Sequence, residues 1–134
     1  MRKKKMWIGI SSILGIFIVI CLVIAFSVKA NLLNYNDIAF TYGKEGDVVY
    51  YKFVSEDGLD INLNSIVTKN QRDSDGKVVA SKMYIWVGAQ PNPTSGKTTS
   101  YSRETLSNEE ATVEWVFIFR DKTITVLNGK LQNN

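Results

Sequence analysis

Between Met6 and Val28 the chain carries 23 consecutive residues without a charge, and Arg2, Lys3, Lys4 and Lys5 stand directly ahead of them. No other feature restricts the fold as strongly. As a helix this run would measure about 34 Å, enough to cross a hydrocarbon layer of about 30 Å with some tilt. Its centre, ILGIFIVICLVIAF, offers no polar group that would need a partner in lipid. Positive charge is concentrated before the run and only Lys29 follows it closely, so the positive-inside bias puts the N-terminus in the cytoplasm and the rest outside. Trp7, at the cytoplasmic edge, reads as an interfacial anchor.

The sequence thus predicts a cytoplasmic basic tail at 1–5, a transmembrane helix or uncleaved signal anchor in the bilayer at 6–28, a connector at 29–37 and an extracytoplasmic β domain at 38–134. The competing expectation is secretion after a cut between Ala30 and Asn31. Val28-Lys29-Ala30 has small residues at the spacing a signal peptidase accepts, but the apolar part of a secretory signal is typically about 7–15 residues, and length favours retention. Cys21 is preceded by Ile18, Val19 and Ile20, with no small residue beside the thiol, which argues against lipoprotein processing. Ser11 with Gly15, and Cys21 with Ala25, make small-xxx-small spacings of a kind that arises often by chance in apolar helices.

Setting the leader apart changes the electrostatics. Five of the 16 cationic residues precede Asn31, which leaves eleven against 13 acidic ones, a net charge of −2 from Asn31 onward. A faintly acidic domain has no electrostatic reason to seek phosphate backbones, so no nucleic-acid partner is expected. Cys21 is the one cysteine, which excludes an intramolecular disulfide, and histidine is absent, which removes the commonest general base and transition-metal ligand.

After the polar connector NLLNYND come short runs rich in Val, Ile, Tyr, Phe, Trp and Thr, parted by turn residues. Strands are expected at 38–42, 47–54, 59–67, 78–88, 98–106, 113–119 and 123–127, with a short last one at 130–132. LDINLNSIV alternates apolar and polar residues as a half-buried antiparallel strand does, and VEWVFIF, apolar on both faces, belongs at a sheet centre. Asn128-Gly129 is a two-residue hairpin signal. Ser107 and Glu110 have capping-box spacing and predict a helical turn near 107–112. The pattern favours an antiparallel sandwich or small barrel of about seven strands, with an α+β arrangement of one sheet and one short helix as the second choice.

The chemical inventory is sparse. Ser95-Gly96-Lys97-Thr98 resembles the end of a phosphate loop, but Pro91 stands where the first glycine belongs and a strand, not a helix, follows. Asp73-Ser74-Asp75-Gly76 resembles part of a calcium loop, with Asp73 and Asp75 as weak ligand candidates and Asp57 or Asp60 as possible helpers. Lys82 occupies the position that an EF-hand fills with glutamate, and a turn explains these residues more simply. Ser74 and Lys77 match a serine-nucleophile spacing that works only at a helix start. No catalytic residue, cofactor or metal is assigned. Among the aromatics Tyr50, Tyr51, Tyr84, Trp86, Tyr101 and Trp115, core positions are the ordinary reading, and Tyr84, Trp86 and Tyr101 are the candidates for a binding surface.

A basic start, one apolar span and a small β domain resemble, in layout and in no motif, many small anchored, outward-facing bacterial proteins such as accessory, immunity and envelope-binding proteins. The expected function is a non-catalytic binding module at the plasma membrane that recognises another protein at the cell surface. The alternative is a secreted inhibitor or envelope-glycan binder.

Overall fold

Turn residues break the β-forming runs of the chain at regular intervals, and the resulting strands were traced in a computed structural model that describes residues 16–21 and 31–132. The chain divides into two units, Met1–Asn31 and Leu32–Asn134. In the first, residues 16–21 are helical, and Ile16, Phe17, Ile18, Val19 and Ile20 are each more than half exposed. The remainder of the 6–28 span, with Arg2, Lys3, Lys4, Lys5, Trp7 and Ala30, lies outside the described residues. Among the described residues no helix is long and apolar enough to cross a membrane, so the expected transmembrane helix is not shown.

The second unit holds eight strands: β1 (Ala39–Glu45), β2 (Val48–Val54), β3 (Leu59–Arg72), β4 (Val78–Pro91), β5 (Thr99–Thr105), β6 (Thr112–Ile118), β7 (Thr123–Leu127) and β8 (Lys130–Leu131). They form two sheets, a three-stranded one in the order β1-β2-β5 and a five-stranded one in the order β3-β4-β6-β7-β8. Neither sheet closes on itself, which corrects the barrel and the single-sheet expectations. The wholly antiparallel expectation is also corrected, because β4 and β6 pair in parallel. A parallel pair cannot be joined by a tight turn. Here the connection is made by β5, which lies in the opposite sheet.

Side chains alternate across each strand, so each sheet turns one set inward. Val49, Tyr51 and Phe53 of β2 meet Ile85 and Val87 of β4, Val113, Trp115 and Phe117 of β6, and Ile124 and Val126 of β7 in one buried cluster. Aromatic rings fill the space between the sheets. Phe40 stacks on Phe53 at 4.6 Å, and Tyr51 meets Trp115 edge to face at 4.8 Å. Burial raises the Tyr51 phenol pKa above its ordinary value, against the opposing pull of a hydrogen bond with Ser102.

Local chemistry sets the boundaries. Gly46, Gly58 and Gly76 adopt positive φ where the turn residues predict reversals, and Asn128 (φ 49°) with Gly129 (φ 79°) makes the expected two-residue hairpin. β1 does not end at Gly43 as expected but runs through it, because Gly43, Lys44 and Glu45 pair with Tyr50, Val49 and Val48 of β2, and the Tyr50 ring covers the glycine. The predicted helical turn at 107–112 is absent. Asn108, not Ser107, organises that segment: its side-chain oxygen accepts from the Glu110 amide at 2.9 Å, and β6 begins at Thr112. One 3-10 turn, Tyr35–Asp37, is the only helical element in the second unit among the described residues. The connector is firmly held from Leu32 on. Leu32 bridges Gly88, the Leu33 amide donates to the Val87 carbonyl at 3.0 Å, and the Leu33 carbonyl accepts from Arg120 at 2.8 Å.

Candidate functional site

Along β4 the side chains of Ile85 and Val87 point into the core, so Lys82, Tyr84 and Trp86 occupy the outer face of the five-stranded sheet. The register extends this face sideways. Ile66 of β3 and Val116 of β6 flank Tyr84, while Asn64 and Ile118 flank Trp86. Directly opposed side chains in a sheet are close enough to touch, so the two rows form a continuous, largely aromatic and aliphatic face, on which Ile66 is exposed, Tyr84, Trp86 and Ile118 are half-buried and Val116 is buried. Its charged border is internally matched. Lys82 Nζ lies 3.5 Å from Glu114 and 5.4 Å from the centre of the Tyr84 ring. A hydrogen bond to Tyr84, reinforced by the Glu114 carboxylate, holds the Lys82 ammonium pKa above the usual lysine value.

The structure unites only two of the three candidate aromatics. Tyr101 lies on β5 opposite Lys52, on the outer face of the other sheet, 6.3 Å from the ring of Tyr50. It cannot share a flat ligand with Tyr84 and Trp86, because the core separates them. Tyr51 and Trp115 are core residues. Ile66, Val116 and Ile118 are the members of the surface that the sequence reading missed. Their signal was faint, since alternation reveals two faces of a strand but not which neighbours complete each face.

The phosphate-loop resemblance dissolves in the geometry. The Thr98 hydroxyl lies 2.8 Å from the Ser55 hydroxyl, donates to the Leu59 carbonyl and accepts from the Ile61 amide. Ser55, the one buried polar residue among those described, reaches the Leu59 carbonyl at 2.9 Å and accepts from the Thr98 amide at 2.9 Å. No base accompanies either hydroxyl in this network. They act as a clasp that ties the start of β3 to the start of β5. Ser55→Ala is expected to lower the unfolding free energy by about 1–3 kcal/mol, because buried partners are left unsatisfied. Urea denaturation followed by circular dichroism would check it, and a midpoint equal to that of the parent protein would contradict the clasp.

The Asp73–Gly76 segment is likewise engaged in its own turn. Asp73 Oδ1 accepts from the amides of Asp75 and Lys77, both at 2.9 Å, and Gly76 supplies the left-handed residue. Asp60 Oδ2 accepts from Asn92 at 2.8 Å, away from that turn. Among the described residues no group of three or more His, Cys, Asp or Glu side chains could hold a metal ion. Two open depressions of about 330 Å³ each lie at opposite ends of the sandwich. One is bordered by Asp37, Glu56 and Lys97, the other by Lys44, Asp47 and Glu109. No family model, curated protein or solved structure matches the chain.

Proposed function

We propose that this chain is a single-pass membrane protein that presents its β domain outside the cell as a non-catalytic module for binding another protein. The observation that carries the anchor is the helical stretch at 16–21. Five consecutive large apolar side chains there point in every direction around a helix, each more than half exposed. At roughly 25 cal/mol per Å² of apolar surface, such a segment gains strongly from lipid. The basic cluster ahead of it argues for the outward orientation of the domain. For the binding role, the Tyr84–Trp86 surface supplies what protein partners bury: two aromatics, aliphatic neighbours and a neutralised border.

The second reading, a secreted inhibitor or envelope-glycan binder released after Ala30, rests on the Val28-Lys29-Ala30 pattern. The two separate in one experiment. Anchoring predicts the full 15.1 kDa mass in alkali-washed membranes. Release predicts a chain about 3 kDa lighter in the medium. For the surface itself, Tyr84→Ala combined with Trp86→Ala is expected to abolish crosslinking to a partner in intact membranes, with Tyr101→Ala as the neutral control. Equal crosslinking by both variants would move the site elsewhere.

A further inference from the structure

The three-stranded sheet turns Val49, Tyr51 and Phe53 into the core, so Tyr50 and Lys52 of β2 look outward together with their partners in register. Tyr50 stands opposite Arg103 and Lys52 opposite Tyr101, which sets two tyrosines and two cations on alternate corners of one square. Tyr101 is 56% exposed, and Lys52 and Arg103 are exposed beside it. Diagonal neighbours in such a pair lie about 7–8 Å apart. The two rings are 6.3 Å apart, with planes 32° from parallel. Gly43, opposite Tyr50 on the other side, leaves the room into which that ring leans, since a methyl group there would come within 2.7 Å of the phenolic oxygen.

The charge on this face runs against that of the domain, which is −2 from Asn31 onward. Nearby acids do not cancel it. Glu104 follows Arg103 in β5 but sits opposite Val49, on the inward side, and both its oxygens accept from Arg72, at 2.9 and 3.0 Å. Glu45, the one acid on the outer positions of the three strands, lies across the sheet on β1, in the next row beyond Gly43. Among the described residues neither Lys52 nor Arg103 makes an ion pair.

We infer that this face binds an acidic polysaccharide, with sugar rings laid on Tyr101 and Tyr50 and the carboxylates held by Lys52 and Arg103. The C–H faces of a sugar carry slight positive charge and suit the negative face of an aromatic ring. A guanidinium matches a carboxylate in two parallel hydrogen bonds, and an ammonium adds a point charge. Thr41, opposite Lys52, and Thr99, two residues before Tyr101, border the face with exposed hydroxyls for a hydroxyl-rich ligand. Protein interfaces instead deplete charge at their centres, and nucleic acids draw affinity from many phosphate contacts at once, which two cations do not supply. The inference gives the glycan-binding reading a ligand charge and a face. It requires neither release after Ala30 nor the Tyr84–Trp86 surface, which lies beyond the core.

The test is biolayer interferometry on immobilised polygalacturonate and hyaluronate, with the full chain in mild detergent. Lys3→Gln, Lys4→Gln and Lys5→Gln form the background, so that the basic leader does not hold the polymer. Saturable binding to at least one polymer is expected, weakening as salt rises. Lys52→Gln combined with Arg103→Gln is expected to weaken it about tenfold or more, and Tyr101→Ala about threefold or more, with urea midpoints like that of the background protein. Tyr84→Ala combined with Trp86→Ala should bind like the background. Absence of binding to both polymers overturns the proposal, as does equal binding by the Lys52 and Arg103 double variant. So does displacement by uncharged dextran as effective as by free polymer, or tighter binding of oligothymidylate, which would assign the face to nucleic acid.

Discussion

Trp115→Ala is expected to lower the unfolding free energy by about 3–5 kcal/mol, a large share of the stability a domain of this size possesses. Trp115 is 1% exposed and sits in the middle strand of the five-stranded sheet. Its ring meets Tyr51 edge to face at 4.8 Å and lies 6.4 Å from Phe117. Truncation therefore removes a large transfer term and opens a void between two sheets, where β backbones pinned by hydrogen bonds cannot collapse to refill it. Without disulfides there is no covalent restraint to compensate. Urea denaturation monitored by far-UV circular dichroism reads the effect directly. Trp86→Ala, on the outer face, serves as the comparison and should cost about 1 kcal/mol or less. If the two substitutions proved equally damaging, the division between inner and outer faces would be wrong.

The second large effect is expected at Gly129. This residue has φ of 79°, and a methyl group added to it would lie 2.5 Å from the Gly43 carbonyl carbon and 2.6 Å from its oxygen. Two costs therefore combine in Gly129→Ala. An L residue in the left-handed region costs about 1–2 kcal/mol, and the overlap with β1 backbone adds about 1–3 more. Gly46→Ala isolates the first cost, since Gly46 also has positive φ but meets nothing within 4 Å. Thermal or urea midpoints should rank Gly129→Ala well below Gly46→Ala. Equal midpoints would show that the β7–β8 hairpin does not press on β1.

Features of the fold that depend on neighbours in sequence were readable; those that depend on neighbours in space were not. The turn glycines and Asn128 stand where expected because positive φ is a local demand. The alternation in 59–67 predicts a half-buried strand, and the apolar faces of VEWVFIF suit the strand that lies third of five. By contrast, Thr68–Arg72 reads TKNQR, with no alternation at all, yet belongs to β3. Pairing with β4 imposes that conformation, and the extra residue at Thr68 resets which side chains face out. The parallel β4–β6 pair was equally hidden, since side-chain periodicity marks a strand without marking its direction.

The candidate site shows the same division. That Tyr84 and Trp86 share a face follows from spacing along one strand. That Tyr101 belongs to the opposite surface depends on which sheet β5 joins. Thr98 was noticed for a resemblance to phosphate chemistry, whereas its partner, Ser55, lies 43 residues away and could not be inferred from spacing.

The excursion of β5 into the opposite sheet also dictates how the domain can come into being. The small sheet lacks an edge until β5 arrives, yet β5 is made after β3 and β4, and the large sheet lacks its middle until β6 follows. Neither layer can be finished before the other is well advanced. A chain emerging N-terminus first would hold β3 and β4 as an isolated hairpin, its apolar side open, until residues beyond Thr112 are delivered. Acquisition of structure should then be abrupt and late, with protease resistance gained in one step near the end of chain delivery.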